Sequence, residues 1–333
     1  MVKIGIIGSG FSLYGLLPAF NSLKNGKVVS ICGKQSERMV CYCKSIGLKN
    51  TYTDWRLMLK NEKLDAIALA VPPNVQFEMA KVAIGMGINI FAEKPLAGNV
   101  SQAKRLLELA VKKQITHMVD FIFPEIDLWQ TAKQLIDNKV LGELKRISVN
   151  WDFLSFDIKY KKSSWKTNVS EGGGALSFYF SHVLYYLEYY ASKISELESK
   201  FSYSEESINK GEVGIDLLME FKNGVSGNAH LSSISRDLNR HQVVFECKRG
   251  KIVLENRDSI VDNFTLTIYK ENGKKEVFKS DDHAVNNEDE RVKIVKKLAS
   301  RFVEACIRNE QVIPSFREGL RVQELIEKIR QNN

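Results

Sequence analysis

The chain has 333 residues, of which 44% are hydrophobic and 26% are charged, and its formal net charge is +8. This length and composition favour two globular domains, and a membrane protein is excluded because no stretch reaches the ~20 apolar residues of a spanning helix. The lysines and arginines are spread along the chain without a nucleic-acid-binding motif, so we expect a surface that attracts small anions and no nucleic-acid partner.

The first part of the chain alternates short apolar runs with helical segments. Strands are predicted at residues 2–7, 27–32, 65–71, 88–92 and 115–121. Helices are predicted between them at residues 16–25, 36–45, 76–86 and 99–113, the last with Asn99 as its N-cap. Apolar strands that alternate with helices predict an α/β fold with a doubly wound parallel sheet, covered on both faces.

The second part of the chain changes character after a predicted helix at residues 126–138. Longer strands follow one another directly, at residues 144–154, 213–221, 225–233, 242–247, 251–255 and 265–270. Asn223-Gly224 and Asn272-Gly273 are hairpin turn signals, so this sheet is predicted to be mostly antiparallel. Helices at residues 293–309 and 318–331 close the chain. We predict a boundary near residues 121–125, with domains 1–122 and 123–333.

The cysteines and the first residues both indicate a reducing compartment. No targeting signal is recognised before the first strand, so a cytoplasmic location is expected. The five cysteines are odd in number and irregular in spacing, which predicts reduced and mostly buried thiols. Cys41 and Cys43 lie close in sequence, but no second pair of Cys or His completes a zinc site, and no metal is expected.

A glycine-rich turn, GSGFSL, follows the first predicted strand and opens the first helix. Its two glycines allow a tight turn and close approach of a pyrophosphate, while the helix N-terminus offers N–H groups. We therefore predict a Rossmann-type dinucleotide-binding domain in which Gly8, Gly10, Phe11 and Ser12 contact the cofactor. Leu13 stands where a third glycine is usual, and the alternative is a glycine-rich turn without a ligand.

The end of the second predicted strand bears on the choice between NAD and NADP. NAD enzymes place Asp or Glu there to bind the ribose 2′-hydroxyl, but this chain reads CGKQSER, without an acid at the strand end. Gly33 leaves room, and Lys34, Ser36 and Arg38 can contact a 2′-phosphate. We predict a preference for NADP(H), with NAD(H) possible. The alternative is that Lys34 and Arg38 are solvated surface charges.

Further motifs appear in a fixed order along nearly the whole chain. They are VPPN from Val71, AEKPLA from Ala92, a Trp-Lys pair before GGGAL and His182, and PSFREGLRV from Pro314. This ordered set resembles the Gfo/Idh/MocA family of oxidoreductases, although Gln76 stands where a histidine is frequent. The resemblance implies a second α/β domain with a large, open sheet for substrate binding, and homodimers or homotetramers formed through the sheet face.

The resemblance also implies a reaction and its residues. Family members transfer a hydride between a nicotinamide and the hydroxyl or carbonyl carbon of a sugar, keto-sugar or cyclitol. Lys94 and His182 are the candidates for proton handling. The other residues expected to contact cofactor or substrate are Pro72, Asn74, Glu93, Trp165 and Lys166. The other histidines gain no support from the resemblance and are expected to be structural: His117, His230, His241 and His283.

One residue departs from the family pattern. Many members carry an Asp that helps polarise the substrate where this chain has Phe178. Three interpretations stay open: Lys94 acts with His182 alone, Tyr179 supplies a hydroxyl, or catalysis is lost. In the last case the chain is a dinucleotide-sensing regulator or scaffold with the same fold. Tyr179 also fits an aromatic stripe of the core.

Overall fold

The first half of the chain forms a parallel sheet of six short strands. The computed structural model describes residues 1–280 and 288–333, and the strand order is β3-β2-β1-β4-β5-β6. The strands are β1 Val2–Ile7, β2 Gly26–Cys32, β3 Asn50–Tyr52, β4 Ala66–Leu69, β5 Asn89–Ala92 and β6 His117–Val119. Every residue of β4 and β6 is buried, as in a sheet covered on both faces. The predicted doubly wound Rossmann-type sheet is confirmed.

Five helices connect these strands: α1 Leu17–Asn21, α2 Glu37–Ser45, α3 Trp55–Asn61, α4 Pro73–Gly85 and α5 Val100–Lys113. A π-helical turn, Ser12–Leu16, leads into α1. The α5 helix begins where Asn99 Oδ1 accepts the Gln102 N–H at 2.9 Å, which confirms the predicted N-cap. Neither β3 nor α3 was predicted from the sequence.

The second half forms a sheet of eight strands in the order β14-β13-β12-β11-β7-β10-β9-β8. They are β7 Leu144–Asp152, β8 Ile194–Ser202, β9 Gly214–Phe221, β10 Ser226–Ser232, β11 Arg240–Cys247, β12 Gly250–Asn256, β13 Thr265–Lys270 and β14 Lys275–Lys279. All neighbours are antiparallel except β7 and β10, which run parallel. The prediction of a large, mostly antiparallel sheet is confirmed, but β8 and β14 were missed. Buried and exposed residues alternate along β9, so the sheet has one core face and one polar face.

The remaining helices are α6 Asp127–Asp137, α7 Phe156–Lys159, α8 Ser181–Tyr190, α9 Val292–Arg308 and α10 Phe316–Gln331. A π-helical turn, Leu176–Phe180, leads into α8. The α6 helix packs against β12 and β13 on the core face. Within the described residues, no helix is long and apolar enough to cross a membrane.

The α9 helix corrects the predicted domain division. Its Phe302 lies edge-on to Phe20 and Phe91, with ring centroids 6.4 and 5.7 Å apart, and all three rings are fully buried. The helix therefore helps to cover the parallel sheet. One compact unit contains Met1–Ile122 with residues 288–324, and the other contains residues 123–280 with Leu325–Asn333. The predicted domain 123–333 assigned α9 to the wrong unit.

Candidate active site

The turn after β1 requires glycine at its first position. Gly8 has a φ of +135°, and a Cβ there would lie 1.9 Å from Ser12 Oγ and 2.3 Å from the Ala70 carbonyl oxygen. The Gly8 N–H donates to the Cys32 carbonyl at 2.8 Å. A Cβ at Gly10 would meet nothing within 4 Å, so the space beside the turn is open. This tight turn with open space on one side fits a pyrophosphate.

The loop after β2 packs directly against this turn. A Cβ at Gly33 would lie 2.5 Å from the Gly8 carbonyl oxygen, and the Lys34 N–H donates to Ser9 Oγ at 2.6 Å. The Lys34 side chain is exposed. Ser36 Oγ accepts the Met39 N–H at 3.2 Å, so this oxygen caps α2. The loop thus holds its backbone in place and leaves its cationic side chain at the surface.

Phe11 is held at the turn by residues from two parts of the first unit. The Arg291 guanidinium lies 4.3 Å from the Phe11 ring centroid, and its Nε and Nη2 each donate to the Asp289 carboxylate at 2.8 Å. A Cβ at Gly15 would lie 2.1 Å from the Phe11 ring, so only glycine leaves this ring its space. Arg38 lies 5.7 Å from the ring of the neighbouring Tyr14. The sequence offered no signal for the contact between Arg291 and Phe11, because the two residues are distant in the chain.

Gln76 fixes the segment after β5 in its position. Its side chain is fully buried, and Nε2 donates to the carbonyl oxygens of Glu93 at 2.7 Å, Pro95 at 3.2 Å and Leu96 at 3.1 Å. Pro72 is the N-cap residue of α4, and Asn74 lies exposed in the first turn of that helix. This bracing role was missed from the sequence, where Gln76 was noted only as a replacement for histidine.

Lys94 lies at the same edge of the sheet as the glycine turn. The strands β1, β4 and β5 are parallel neighbours, so their carboxyl ends share one edge, where doubly wound sheets bind ligands. The Lys94 N–H donates to Glu93 Oε2 at 3.1 Å, while Leu96 is 1% exposed and anchors the segment. The structure therefore brings Gly8, Lys94 and Glu93 to the end of one sheet.

Asp120 is an acid at this edge that was not selected from the sequence. It follows β6, is 1% exposed, and its N–H donates to the Ala92 carbonyl at 2.9 Å. Burial raises the pKa of its carboxyl well above the ordinary value, and Glu93 adds to this, while the charges of Lys94 and Arg291 oppose it. An acidic residue at the end of an apolar strand was the available signal.

The glycine run of the second unit lets two stretches of backbone meet. The Gly174 N–H donates to the Lys166 carbonyl at 2.9 Å, and a Cβ at Gly173 would lie 1.9 Å from the Trp165 carbonyl oxygen. Gly174 has a φ of +90°, and a Cβ there would lie 2.2 Å from Glu212 Oε1. The glycines therefore hold the Trp165–Lys166 backbone against the start of the helical segment that leads to His182.

Trp165, Phe178, Tyr179 and Phe153 form a continuous row of half-buried rings, which we call the aromatic wall. Phe178 lies edge-on to Trp165 at 5.4 Å and to Tyr179 at 4.7 Å, and Tyr179 contacts Phe153 at 4.8 Å. The Lys166 ammonium lies 4.9 Å from the Phe178 ring centroid. The structure thus places Trp165 and Lys166, two of the predicted substrate residues, against Phe178.

The histidines occupy different environments. His182 is 7% exposed and lies edge-on to Phe123 at 5.1 Å. The His241 ring stacks on Trp151 at 4.3 Å, and burial lowers its pKa to about 3, so it is a neutral core residue. Burial, assisted by the Arg317 charge, lowers the pKa of His117 to about 4.

His230 lies on the polar sheet face, where its Nδ1 is 2.7 Å from Asp216 Oδ1. His283 lies outside the described residues. All five cysteines are free thiols, of which Cys32, Cys43 and Cys306 are buried.

Two family models match this chain and identify the oxidoreductases to which it is related. Residues 2–121 match the oxidoreductase family with an NAD-binding Rossmann fold, and residues 129–253 match the GFO/IDH/MocA C-terminal domain. The chain belongs to the Gfo/Idh/MocA family of oxidoreductases. The resemblance found in the sequence is confirmed, and the glycine turn lies within the NAD-binding Rossmann domain of this family.

Relatives in this family include an uncharacterised oxidoreductase of Synechocystis, sll0816, which is 28% identical over 201 residues, or 60% of this chain and 54% of the relative. Levoglucosan dehydrogenase of Pseudarthrobacter phenanthrenivorans is 24% identical over 96% of this chain and 93% of that protein. A levoglucosan dehydrogenase structure with NADH and levoglucosan has a TM-score of 0.85 at 20% identity, covering 99% of this chain and 96% of that chain.

A variant of the 3-ketoreductase from Actinomadura kijaniata, solved with TDP-benzene and NADP, has a TM-score of 0.80 at 18% identity, covering 99% of this chain and 97% of that chain. At these identities the solved structures show a shared fold.

Proposed function

We propose that this member of the family is an NADP(H)-preferring dehydrogenase or reductase that acts on the hydroxyl or carbonyl carbon of a sugar, keto-sugar or cyclitol. The observation that carries the proposal is the shared sheet edge, where the glycine turn follows β1 and Lys94 follows β5. A turn suited to a pyrophosphate and a lysine at the end of the same sheet supply a cofactor site and a proton-handling group.

The proposed cofactor contacts divide by the part of the dinucleotide that they hold. Four residues bind the pyrophosphate, namely Gly8, Gly10, Phe11 and Ser12. Gly33 leaves space beside the turn, and the group at the 2′-phosphate is Lys34, Ser36 and Arg38. Pro72, Asn74, Glu93 and Lys94 line the nicotinamide end. Bound there, the nicotinamide supplies or accepts the hydride.

The chain itself must orient the substrate and move one proton at the substrate oxygen. We assign this proton to Lys94, which donates it during carbonyl reduction and accepts it during alcohol oxidation. In the second unit, Trp165, Lys166 and His182 are proposed to orient the substrate, and the Tyr179 hydroxyl is a second candidate for proton transfer. Phe178 occupies the position where many family members carry an Asp, so we assign no acid at that position to substrate binding or proton transfer.

The NADP(H) preference rests on Lys34. Its backbone is fixed by Ser9, its ammonium is exposed, and the loop bears no acid at the strand end. Relatives differ in the nucleotide present in their structures, since levoglucosan dehydrogenase was solved with NADH and the 3-ketoreductase with NADP. A hydrogen bond to a charged group contributes about 1.5–3 kcal/mol, which corresponds to roughly a ten- to hundredfold change in affinity.

The test is a fluorescence titration of the purified protein with NADPH and NADH. We expect tighter binding of NADPH in the wild type, and Lys34→Ala should weaken NADPH binding by about tenfold or more while NADH binding stays the same. Lys44→Ala removes an exposed lysine from the last turn of α2 and is the matched control. Equal affinities for the two nucleotides, unchanged by Lys34→Ala, would contradict the NADP(H) preference.

Turnover of a panel of keto-sugars and cyclitols is then measured on the same preparations. We expect turnover in the wild type and none in Lys94→Met. This variant should still bind NADPH, because the proposed contacts to the pyrophosphate and the 2′-phosphate are unchanged. Nucleotide binding without turnover of any substrate would favour a dinucleotide-sensing regulator. If neither NADPH nor NADH binds, the proposed function is overturned.

A further inference from the structure

Residues 156–166 of the second unit form a surface segment with an unusual composition, which we call the lysine–aromatic segment. It contains four lysines, Lys159, Lys161, Lys162 and Lys166, and three aromatic residues, Phe156, Tyr160 and Trp165. Its one acidic residue, Asp157, is 6% exposed. The accessible surface of the segment therefore combines positive charge with aromatic rings.

Two of the aromatic rings are exposed together. Phe156 and Tyr160 lie one helical turn apart at α7, with ring centroids 4.6 Å from each other, and they are 56% and 54% exposed. Large aromatic side chains bury much apolar surface when a partner is available, so an exposed pair indicates a binding surface. The Lys162 ammonium lies 4.8 Å from the Phe156 centroid, and the Lys159 ammonium lies 5.4 Å from the Tyr160 centroid.

Among the residues that the structure describes, the lysines of the segment are not paired with carboxylates. Within residues 1–280 and 288–333, none of its four ammonium groups forms an ion pair with Asp or Glu. Lysine ammonium groups bind phosphate oxygens as point charges. Exposed aromatic rings bind nucleobases by stacking, because every base has a flat π-face that can lie against a ring. Rings and ammonium groups on one segment complement a ligand that has both a base and phosphates.

The segment also adjoins the aromatic wall at both ends. Phe153 lies three residues before its start and contacts Tyr179, while Trp165 near its end contacts Phe178. Lys166 points its ammonium at the Phe178 ring. A ligand whose sugar lies at the wall can therefore extend its phosphates along the segment without leaving the second unit.

We propose that the lysine–aromatic segment binds the nucleoside diphosphate part of a nucleotide-linked sugar, which rests on the proposed function and names its substrate class. The base stacks on the Phe156–Tyr160 pair, Lys159, Lys161 and Lys162 contact the diphosphate, and the sugar lies at the aromatic wall. The pyrophosphate of the dinucleotide has its own turn at Gly8 in the first unit, so the two diphosphates have separate sites.

Binding is tested by calorimetric titration with UDP, dTDP, GDP, ADP and inorganic pyrophosphate, with and without saturating NADPH. We expect at least one nucleoside diphosphate to bind more tightly than pyrophosphate. The triple variant Lys159→Gln/Lys161→Gln/Lys162→Gln should weaken that binding by about tenfold or more, and the effect should shrink at high salt. The control Lys104→Gln/Lys112→Gln/Lys113→Gln removes equal charge from the exposed face of α5 and should leave binding unchanged.

A second variant separates base stacking from charge. Phe156→Ala/Tyr160→Ala should weaken nucleoside diphosphate binding by about fivefold or more and leave pyrophosphate binding unchanged. Circular dichroism confirms that each variant is folded. The inference is overturned if no nucleoside diphosphate binds better than pyrophosphate, or if the triple lysine variant binds as the wild type does. If the wild type binds NADPH in those cases, the proposed function stays intact. If the wild type binds a nucleoside diphosphate but not NADPH, the proposed function alone is overturned.

Discussion

In the folded protein, the carboxyl group of Asp120 stays protonated up to a higher pH than the carboxyl group of a solvent-exposed aspartate does. Burial is the largest cause of the raised pKa, and the neighbouring Glu93 acts in the same direction. A protonated Asp120 places no negative charge beside Lys94. The electrostatic environment of Lys94 therefore depends on a residue that follows a different strand.

The raised pKa of Asp120 predicts a pH-dependent difference between the wild type and Asp120→Asn. The unfolded chain releases this proton above about pH 4 while the folded protein keeps it, so wild-type stability falls as pH rises until the folded pKa is passed. The variant cannot ionise, and its free energy of unfolding should improve relative to the wild type by up to ~1.4 kcal/mol per pH unit in that window. Urea denaturation at pH values from about 4 to 8 measures this.

Asp237→Asn is the matched control for this experiment, because Asp237 is exposed. Its stability should follow the wild type across the same pH range. If Asp120→Asn and the wild type give parallel curves, the carboxyl of Asp120 does not hold its proton in the folded state.

At the scale of elements, the last turns of α10 hold the glycine run of the second unit. Arg330 Nη2 donates to the Gly173 carbonyl at 2.9 Å, to Ser177 Oγ at 3.2 Å and to Glu212 Oε1 at 2.9 Å. The Glu212 side chain is 1% exposed and also accepts the Leu176 N–H at 3.1 Å. One guanidinium thus joins the end of a helix, the glycine run and a buried carboxylate.

Arg330→Met is expected to lower the free energy of unfolding by about 3 kcal/mol. Removing one partner of a buried ion pair costs ~3–5 kcal/mol because the other charge stays buried, and the lower end applies since the Arg330 side chain is 25% exposed. Lys328→Met, an exposed position on the same helix, should change stability by less than about 0.5 kcal/mol. The double variant Glu212→Gln/Arg330→Met should recover part of the loss. Equal stabilities for Arg330→Met and Lys328→Met would refute the role of the ion pair.

At the scale of the whole molecule, the polar face of the eight-stranded sheet is a broad, structured surface. Arg146 Nη2 donates to Asn228 Oδ1 at 2.8 Å, and Arg240 binds Asp152 at 2.8 Å, so hydrogen bonds link side chains across neighbouring strands. Leu218 is 59% exposed on this face. Since the family resemblance implies packing through the sheet face, we propose that this surface joins copies of the chain into a homodimer or homotetramer.

Light scattering during size-exclusion chromatography tests this assembly. We expect the wild type to have the mass of a dimer or tetramer, and Leu218→Arg to shift it towards the monomer because a charge would be buried in the interface. Leu57→Arg, at an exposed position of α3, should keep the wild-type mass. A monomeric wild type, or a Leu218→Arg variant with unchanged mass, would count against the sheet face as the interface.

Local signals explain how much of the fold was predictable. The central strands were found because their apolar runs are continuous, and the start of α5 was found because an N-cap acts within one helical turn. The missed strands β3, β8 and β14 are all at sheet edges. Edge strands are held by pairing on one side and tolerate polar residues, so their hydrophobic pattern is weak.

For this protein, the sequence by itself determined the class of fold, the glycine turn and the candidate lysine, because each depends on neighbours in the chain and on an ordered set of motifs. Only the tertiary structure decided that α9 covers the parallel sheet, since an amphipathic helix shows its apolar face but not the surface that will bury it. The same holds for Asp120 beside Glu93 and for Arg291 over Phe11. Their proximity depends on strand order and packing between residues that are far apart in sequence.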